Sequence, residues 1–305
     1  MAIIPSYLKP GDTIGITCPA GAVHLADMEP MFTQLREWGY QLKIGTDVGS
    51  SYYKFSATDE ERLNDLQQML DDEEITAILF GRGGYGVVRI IDQLDFTRFV
   101  QHPKWLLGYS DITCLHSHIH TQFNIATIHG HMGAGFREEN KDSYSTHQIN
   151  EILKGTPIQY EIAPNNINRL GSCNGTLIGG NLALLSDLIG TKSDIHTEGS
   201  ILMIEDIGEY KYNIDRMMWQ LLRAGKLDKL AGLIVGGFTE TQDNEIPFGM
   251  TEYDIVWEKV KDFTYPVCVD FPVGHQPNNW PLKMGINYQL NIAADKVRLH
   301  EHLTD

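Results

Sequence analysis

Residues 75–86 read ITAILFGRGGYG, an apolar run that passes directly into a glycine-rich loop. The first six residues show no alternation of polar and apolar side chains, which is typical of a strand that is covered on both faces. The next stretch, VVRIIDQLD (87–95), has apolar residues at helical spacing. A buried strand, a loop and a helix in this order predict one unit of a parallel sheet flanked by helices.

The same alternation runs through the first half of the chain and then stops. Further strand candidates are TIGITC (13–18), QLKIGTD (41–47), WLLGY (105–109) and ATIHGHM (126–132). Residues 155–175 are rich in Pro, Asn and Gly, and beyond them short strand candidates are separated by two helical patterns. We therefore predict an N-terminal α/β domain over 1–160 and a smaller α+β domain over 161–305.

Composition limits the partners of the chain. It has 305 residues, of which 40 are acidic and 24 basic, so its formal net charge is −16. This charge would repel a phosphate backbone, and nucleic acid is excluded as a partner. The N-terminus lacks a signal-peptide pattern, and no apolar run approaches the roughly 20 residues that span a bilayer. Four scattered cysteines without a C-x-x-C pair suit a reducing compartment, so we expect a cytoplasmic protein away from membranes.

The glycine loop permits three interpretations. Residues 81–86 fit G-x-G-x-x-G, a dinucleotide-binding pattern. That pattern also needs an acidic residue about 20 positions on, at the end of the next strand, whereas Asp111 comes only after that strand. The alternatives are a loop whose backbone N–H groups bind a small anion or an oxyanion, or a tight turn without a ligand. No cofactor is predicted.

Ser110 lies where a strand ends and a helix begins, in LLGYSDITCLHSH (106–118). A serine just before a helical stripe is a preferred N-cap, and this stretch alone favours that interpretation. The other interpretation is a nucleophile on a sharp strand-to-helix turn, with N–H groups nearby for an oxyanion. The G-x-S-x-G elbow is only half present, because Ile112 occupies the position of its second glycine.

A nucleophilic serine needs a base and an acid that orients the base. His116, His118 and His120 lie in one predicted helix, and His129 and His131 lie in one predicted strand. Each cluster could be a metal site, or its histidines could simply be packing residues. His275 follows the strand candidate PVCVDF in a loop. Glu205 ends the apolar run ILMIED, where a carboxylate needs a partner such as Arg216. Spacing alone leaves the set Ser110, Glu205 and His275 open.

Several ordered motifs resemble those of the LD-carboxypeptidases, the serine peptidase family that also contains the microcin-immunity peptidases. They are ITCPAG, RGGYG with RIIDQLDF, GYSDIT, GTLIGGNLALLSDLIGT, IEDIGEYKYNIDRMMWQL, GLIVGGF and FPVGHQPNNWPLKMG. Together they cover nearly the whole chain. The resemblance implies an N-terminal flavodoxin-like parallel-sheet domain and a C-terminal domain built on a small β-barrel.

The resemblance also assigns roles to residues. It implies that Ser110 is the nucleophile, Glu205 the charge-relay acid and His275 the base. The backbone N–H groups of Gly84 and Asp111 would form the oxyanion hole. Three further residues are candidates for binding substrate: Arg82, Gly83 and Tyr85. The guanidinium of Arg82 would suit a C-terminal carboxylate.

The family's usual reaction removes the terminal D-alanine of murein tetrapeptide during cytoplasmic cell-wall recycling, and a homodimer is the form that the family suggests. Two alternatives stay open. The immunity branch cleaves an amide in peptidyl or aminoacyl nucleotide analogues, and Trp280 is compatible with its base-stacking aromatic, although loop aromatics more often pack. The second alternative is a non-catalytic module that binds a small anion or a nucleotide at the glycine loop.

Overall fold

A computed structural model describes residues 2–302 and divides the chain into two compact units. The first unit runs to Thr156 and also takes Trp280–Lys283. The second covers Pro157–Asn279 and continues from Met284. The segment Trp280–Lys283 thus belongs to the first unit, although the sequence placed it within the second domain. No helix among residues 2–302 has the length and apolarity needed to cross a bilayer.

The first unit is built on a six-stranded sheet, and its strands are numbered here in chain order. They are β1 (Thr13–Thr17), β2 (Gln41–Ile44), β3 (Ile75–Phe80), β4 (Trp105–Gly108), β5 (Thr127–His129) and β11 (Leu282–Met284). The order across the sheet is β11-β5-β4-β3-β1-β2, and β1 to β5 pair in parallel. This confirms the predicted parallel sheet, with β3 at its centre because its apolar side chains need cover on both faces.

Five α-helices accompany these strands: α1 (Leu25–Glu37), α2 (Asp59–Asp71), α3 (Thr97–Gln101), α4 (Thr113–Phe123) and α5 (Tyr144–Lys154). The predicted helix over 87–95 is wrong, because this stretch forms two short 3-10 turns, Val87–Arg89 and Ile91–Gln93. The β-branched pairs Val87-Val88 and Ile90-Ile91 disfavour a longer helix in this short segment. In addition, the Asp111 carboxylate accepts the N–H of Val87 and holds the chain at that residue.

The second unit contains a mixed seven-stranded sheet. Its strands are β6 (Gln159–Ile162), β7 (Gly171–Asn181), β8 (Ile201–Ile207), β9 (Gly232–Thr239), β10 (Val267–Val269), β12 (Asn287–Ile292) and β13 (Val297–Glu301). Strands β7 to β10 pair in parallel, while β7-β12-β13-β6 pair antiparallel. A backbone bridge between Arg169, just before β7, and Val267 of β10 curls the parallel part back on itself. This curl agrees with the small barrel that the resemblance implies.

Helices of the second unit cover the apolar face of β7 to β10. They are α6 (Leu182–Asp187), α7 (Lys211–Arg223) and α8 (Glu252–Val260). Ile214 and Met218 of α7 and Ile255 of α8 are fully buried in the core of this unit. The two helical patterns expected from the sequence are α7 and α8, whereas α6 is too short to show a helical period.

Candidate active site

Ser110 lies in a strained turn between β4 and α4. Its φ is +63°, a left-handed conformation that non-glycine residues seldom adopt. A 3-10 turn, Ser110–Ile112, precedes α4, and no side chain caps either element. The N-cap interpretation of Ser110 is therefore wrong. Backbone strain of this kind, on the order of 1–3 kcal/mol, is concentrated at functional sites, which favours the nucleophile interpretation.

The glycine loop approaches the Ser110 side chain with its backbone. A Cβ atom at Gly83 would lie 2.8 Å from Cβ and 2.9 Å from Oγ of Ser110. Only glycine leaves room for the hydroxyl at this position. The carbonyl of Gly83 accepts the N–H of Gly21 at 2.9 Å, which fixes the direction of the peptide that joins Gly83 to Gly84.

Two backbone donors close to Ser110 have no acceptor. Among the described residues, none accepts the N–H of Gly84 or that of Asp111. In a trans peptide the N–H points away from the preceding carbonyl, so the Gly84 N–H faces away from Gly21. Gly84 is exposed to solvent and has φ +105°. Free N–H groups beside a serine hydroxyl are the donors that an oxyanion hole needs.

The side chain of Asp111 ties this turn to the glycine loop. It is fully buried, and its Oδ2 accepts the N–H of Val87 at 2.8 Å. Burial raises the pKa of the Asp111 carboxyl, and the Val87 N–H and the charge of Arg62 oppose that rise. For Asp111, only a role of the backbone N–H was predicted. The signal available for its side chain was an acidic residue directly after the serine.

His275 and Glu205 form a buried hydrogen-bonded pair in the second unit. Nδ1 of His275 lies 2.7 Å from Oε2 of Glu205, which also accepts the backbone N–H of His275 at 3.1 Å. The Glu205 side chain is inaccessible to solvent, and that of His275 is 12% exposed. Burial alone would lower the pKa of His275, but the hydrogen bond and charge of Glu205 outweigh it, so the pKa is raised.

The loop after β10 is shaped around the Glu205 carboxylate. A Cβ atom at Gly274 would lie 2.6 Å from Cβ of Glu205, and the φ of Gly274 is +99°, so both space and backbone require glycine. The N–H of Gly274 donates to Asn279 Oδ1 at 2.9 Å, and the Thr239 hydroxyl donates to the His275 carbonyl at 2.6 Å. These contacts hold the imidazole in one place.

Glu205 lies near the end of β8, in agreement with its place at the end of the apolar run ILMIED. Its partner is His275, not Arg216, whose guanidinium stacks on Tyr212. The next residue, Asp206, accepts hydrogen bonds from the Asn181 amide at 2.8 Å and the Ala183 N–H at 2.9 Å. Burial, followed by the charge of Glu205, raises the pKa of Asp206 to about 7. This structural role of Asp206 was not predicted from the sequence.

His116, His118 and His131 of the candidate histidine clusters are buried in the first unit. Nε2 of His116 lies 2.9 Å from the Gly108 carbonyl, and burial lowers the pKa of His116 to about 4. His118 packs against the rings of Phe96 and Phe123. Burial also lowers the pKa of His131 to about 4. Within residues 2–302, no group of three or more His, Cys, Asp or Glu side chains is arranged to hold a metal ion.

Arg82 and Tyr85 are exposed on the glycine loop. Nη1 of Arg82 donates to the Ala22 carbonyl at 2.7 Å, and no acidic side chain in the described part of the chain pairs with this guanidinium. The ring of Tyr85 lies beneath the ammonium of Lys54 at 5.2 Å. Trp280 packs edge-on against Tyr144 with ring centroids 5.0 Å apart, so its indole has a packing role.

The structure thus brings Ser110 together with Gly83, Gly84 and Asp111, and it brings Glu205 together with His275. The first group belongs to the first unit and the second group to the second unit. Family models match both units. The LD-carboxypeptidase N-terminal domain matches residues 14–130, and the LD-carboxypeptidase C-terminal domain matches residues 174–290.

The chain belongs to the LD-carboxypeptidase family. It is 32% identical to a probable murein peptide carboxypeptidase of Bacillus subtilis, over 95% of this chain and 92% of the relative. It is 31% identical to the murein tetrapeptide carboxypeptidase of Pseudomonas aeruginosa, over 88% and 90% of the two chains.

Two solved structures are similar in fold to this chain. The muramoyltetrapeptide carboxypeptidase of Oxalobacter formigenes superposes with a TM-score of 0.87 at 26% identity, covering 95% of this chain and 99% of its own. The microcin self-immunity protein MccF superposes with a TM-score of 0.84 at 21% identity, covering 99% and 100%. The second likeness concerns the fold alone.

Proposed function

We propose that this chain is a serine LD-carboxypeptidase in which Ser110, His275 and Glu205 form the catalytic triad. The observation that carries the proposal is the turn at Ser110, where a left-handed serine lies beside a glycine loop and two N–H donors without acceptors. A helix cap would need neither the strained backbone nor the free donors. The His275–Glu205 pair provides the general base and the group that orients it.

The proposed reaction begins with Ser110 attacking the carbonyl of an L,D-peptide bond. His275 takes the proton of the serine hydroxyl through Nε2, because Nδ1 is bonded to Glu205. Glu205 holds that tautomer and stabilises the imidazolium that forms. His275 then gives the proton to the amine of the leaving D-amino acid, and water releases the acyl group from Ser110 by the reverse sequence.

The N–H groups of Gly84 and Asp111 are proposed to bind the oxyanion of the tetrahedral intermediate. Each such donor contributes about 3 kcal/mol to the stability of a transition state. Gly83 is proposed to line the site with its backbone, because its Cα lies against Ser110. We assign Arg82 to the C-terminal carboxylate, since its guanidinium is exposed and has no acidic partner in the described chain. Tyr85 is the proposed neighbouring contact.

The proposed substrate is murein tetrapeptide, from which the enzyme releases the terminal D-alanine during cell-wall recycling. The names of the relatives from Bacillus subtilis and Pseudomonas aeruginosa support this choice. We propose a cytoplasmic location, because four free cysteines suit a reducing compartment. We also propose a homodimer, which light scattering coupled to size-exclusion chromatography would test.

The decisive experiment compares wild type with Ser110→Ala on a murein tetrapeptide, with products identified by mass spectrometry. Wild type is expected to release D-alanine, and Ser110→Ala to lose turnover while unfolding at the same temperature. Ser117→Ala, a change of a buried serine in α4, is the matched control and should keep full activity. Turnover that survives in Ser110→Ala would disprove the proposed mechanism.

The same assay separates the alternatives. An aminoacyl-sulfamoyl adenylate is tested beside the tetrapeptide, and cleavage of the adenylate alone would assign the chain to the immunity-type amidases. Binding of a nucleotide without hydrolysis of either compound would favour the non-catalytic module. Loss of activity with a chelator would point to the histidines and a metal rather than to Ser110.

A further inference from the structure

The buried carboxylate of Asp111 connects the turn that carries Ser110 to the loop that carries Gly84. Its Oδ2 accepts the N–H of Val87 at 2.8 Å, and the N–H of Gly86 also stabilises its charged form. Val87 is the first residue of the 3-10 turn that follows the glycine loop. One end of this connection is thus adjacent to Ser110, and the other is three residues beyond Gly84.

The glycine loop needs such an anchor because its backbone has unusual freedom. Gly84 and Gly86 have φ values of +105° and +151°, conformations that glycine adopts without a steric penalty. Flexible glycines do not by themselves hold an N–H group in one direction. On the near side of Gly84, the Gly83 carbonyl accepts the N–H of Gly21. On the far side, the anchor is the carboxylate of Asp111.

Nearby cations partly offset the cost of burying the charge of Asp111. Arg62 is fully buried beneath the loop, and a Cβ atom at Gly86 would lie 2.6 Å from its Nη1. The charges of Arg62 and Lys54 lower the pKa of Asp111 against the larger effect of burial, which raises it. Hydrogen bonds from N–H groups to a charged, buried acceptor are about twice as strong as those to a neutral one.

We propose that the Asp111 side chain is a positioning residue that sets the oxyanion hole. By holding the N–H of Val87, it fixes the glycine loop so that the N–H of Gly84 and the N–H of Asp111 itself converge on one substrate oxygen. A single residue then supplies one donor with its backbone and places the other with its carboxylate. This inference rests on the proposed function, because it assumes that an oxyanion forms at Ser110.

The expected signature is a selective loss of transition-state stabilisation. Removing a donor from an oxyanion hole lowers kcat by about 10²–10³-fold. A displaced donor in Asp111→Ala is therefore expected to lower kcat by roughly tenfold to 10³-fold while KM changes little. Asp111→Asn keeps an oxygen for the Val87 N–H, so it is expected to recover a large part of the lost kcat.

The test measures kcat and KM on murein tetrapeptide together with two affinities. The first ligand is a tripeptide boronic acid, which forms a tetrahedral adduct on a serine. The second is the tripeptide product, which resembles only the ground state. Asp111→Ala is expected to bind the boronic acid more weakly by the factor lost in kcat, and to bind the product as wild type does. A purely structural defect would weaken both.

Asp65→Asn is the matched control, since Asp65 is another buried carboxylate that holds a backbone N–H, that of Thr46 at 2.7 Å. It is expected to change the unfolding temperature but not the ratio of the two affinities. Should Asp111→Ala fail to fold, Val87→Pro removes the donor instead. Proline is tolerated at the first position of a helical turn, and the same selective loss is expected.

Two outcomes overturn the inference while leaving the proposed function intact. One is full kcat in a folded Asp111→Ala or Val87→Pro variant. The other is an Asp111→Asn variant as slow as Asp111→Ala, because the oxygen that accepts the Val87 N–H would then be irrelevant. By contrast, a wild-type enzyme without Ser110-dependent turnover would refute the proposed function itself.

Discussion

Nδ1 of His275 and Oε2 of Glu205 are 2.7 Å apart, and the same oxygen accepts the backbone N–H of His275 at 3.1 Å. One carboxylate oxygen therefore fixes both the position of the residue and the tautomer of its ring. With the Nδ1 proton donated to Glu205, Nε2 is left as the basic nitrogen. The pair is assembled entirely within the second unit and does not depend on the first for its geometry.

The acid limb of the pH–rate profile should depend on Glu205. The pKa of His275 is raised above its ordinary value of 6.5, because the bond and charge of Glu205 outweigh burial. His275 must be neutral to accept a proton, so kcat/KM should rise with pH through a pKa above 6.5. In Glu205→Gln the charge is gone and burial remains, so this limb is expected to shift to lower pH, with a lower maximum rate. An unshifted limb would contradict the assignment of His275 and Glu205.

Gly83→Ala should inactivate the enzyme without unfolding it. The new methyl group would lie 2.8 Å from Cβ and 2.9 Å from Oγ of Ser110, closer than such atoms approach in proteins. The hydroxyl or the loop must shift, and we expect kcat to fall by about 10²-fold or more, as for other misplaced catalytic groups. Gly11→Ala is the control, since nothing lies within 4 Å of a Cβ there, although its φ of +95° carries a stability cost. Labelling of Ser110 by a fluorophosphonate measures the effect directly, and equal labelling rates in Gly83→Ala and wild type would contradict it.

Asp47, which is buried beside Asp65, should make stability depend on pH. Both carboxylates contact the Thr17 hydroxyl, and Asp47 also accepts the N–H of Cys18 at 3.1 Å. Burial, followed by the charge of Asp65, raises the pKa of Asp47 from 3.8 to about 8. Between these values the folded chain binds a proton that the unfolded chain has released. The free energy of unfolding should therefore fall as pH rises from about 4 to about 8.

Asp47→Asn removes this proton and should flatten that slope. Urea unfolding of wild type and Asp47→Asn at several pH values between 4.5 and 9 measures it. Asp92→Asn, a change at an exposed aspartate, is expected to keep the wild-type slope. A wild-type stability that rises with pH across this window would contradict the raised pKa of Asp47.

Arg82→Gln should impair recognition of a free C-terminus. The guanidinium is exposed and held only by the Ala22 carbonyl, so its charge is available to a substrate carboxylate. Loss of a hydrogen bond to a charged group costs about 1.5–3 kcal/mol, which corresponds to roughly tenfold to 100-fold in KM. Wild type is expected to prefer a free acid over a C-terminal amide, and the variant to lose this preference. Arg89→Gln is the control, since Arg89 is already paired with Asp59, and this variant should keep the preference for a free acid. An unchanged preference in Arg82→Gln would show that Arg82 does not bind the substrate carboxylate.

Local sequence predicted the covered strands, and the ordered motifs of the family resemblance supplied the candidate catalytic residues. A continuous apolar run such as ITAILF predicts a covered parallel strand, and the order of motifs around GYSD, IED and GH identifies Ser110, Glu205 and His275 as candidates. These are short-range signals, because strand burial and turn chemistry depend on a few neighbouring residues. Local sequence was misleading over 87–95, where a contact from Asp111 holds the chain at Val87, and it missed α6, which is too short to show a helical period.

Tertiary structure decided what local sequence left open. At Ser110 the backbone conformation excluded the cap, and the close approach of Gly83, a residue 27 positions earlier in the chain, favours the proposed nucleophile. The pairing of Glu205 with His275 rather than with Arg216, and the attachment of Asp111 to Val87, likewise join residues that are distant in sequence. Such contacts depend on strand order and on which backbone groups are left without partners after the sheets form. Those are properties of the folded chain as a whole, and they determine which hydrogen-bond donor pairs with a buried carboxylate.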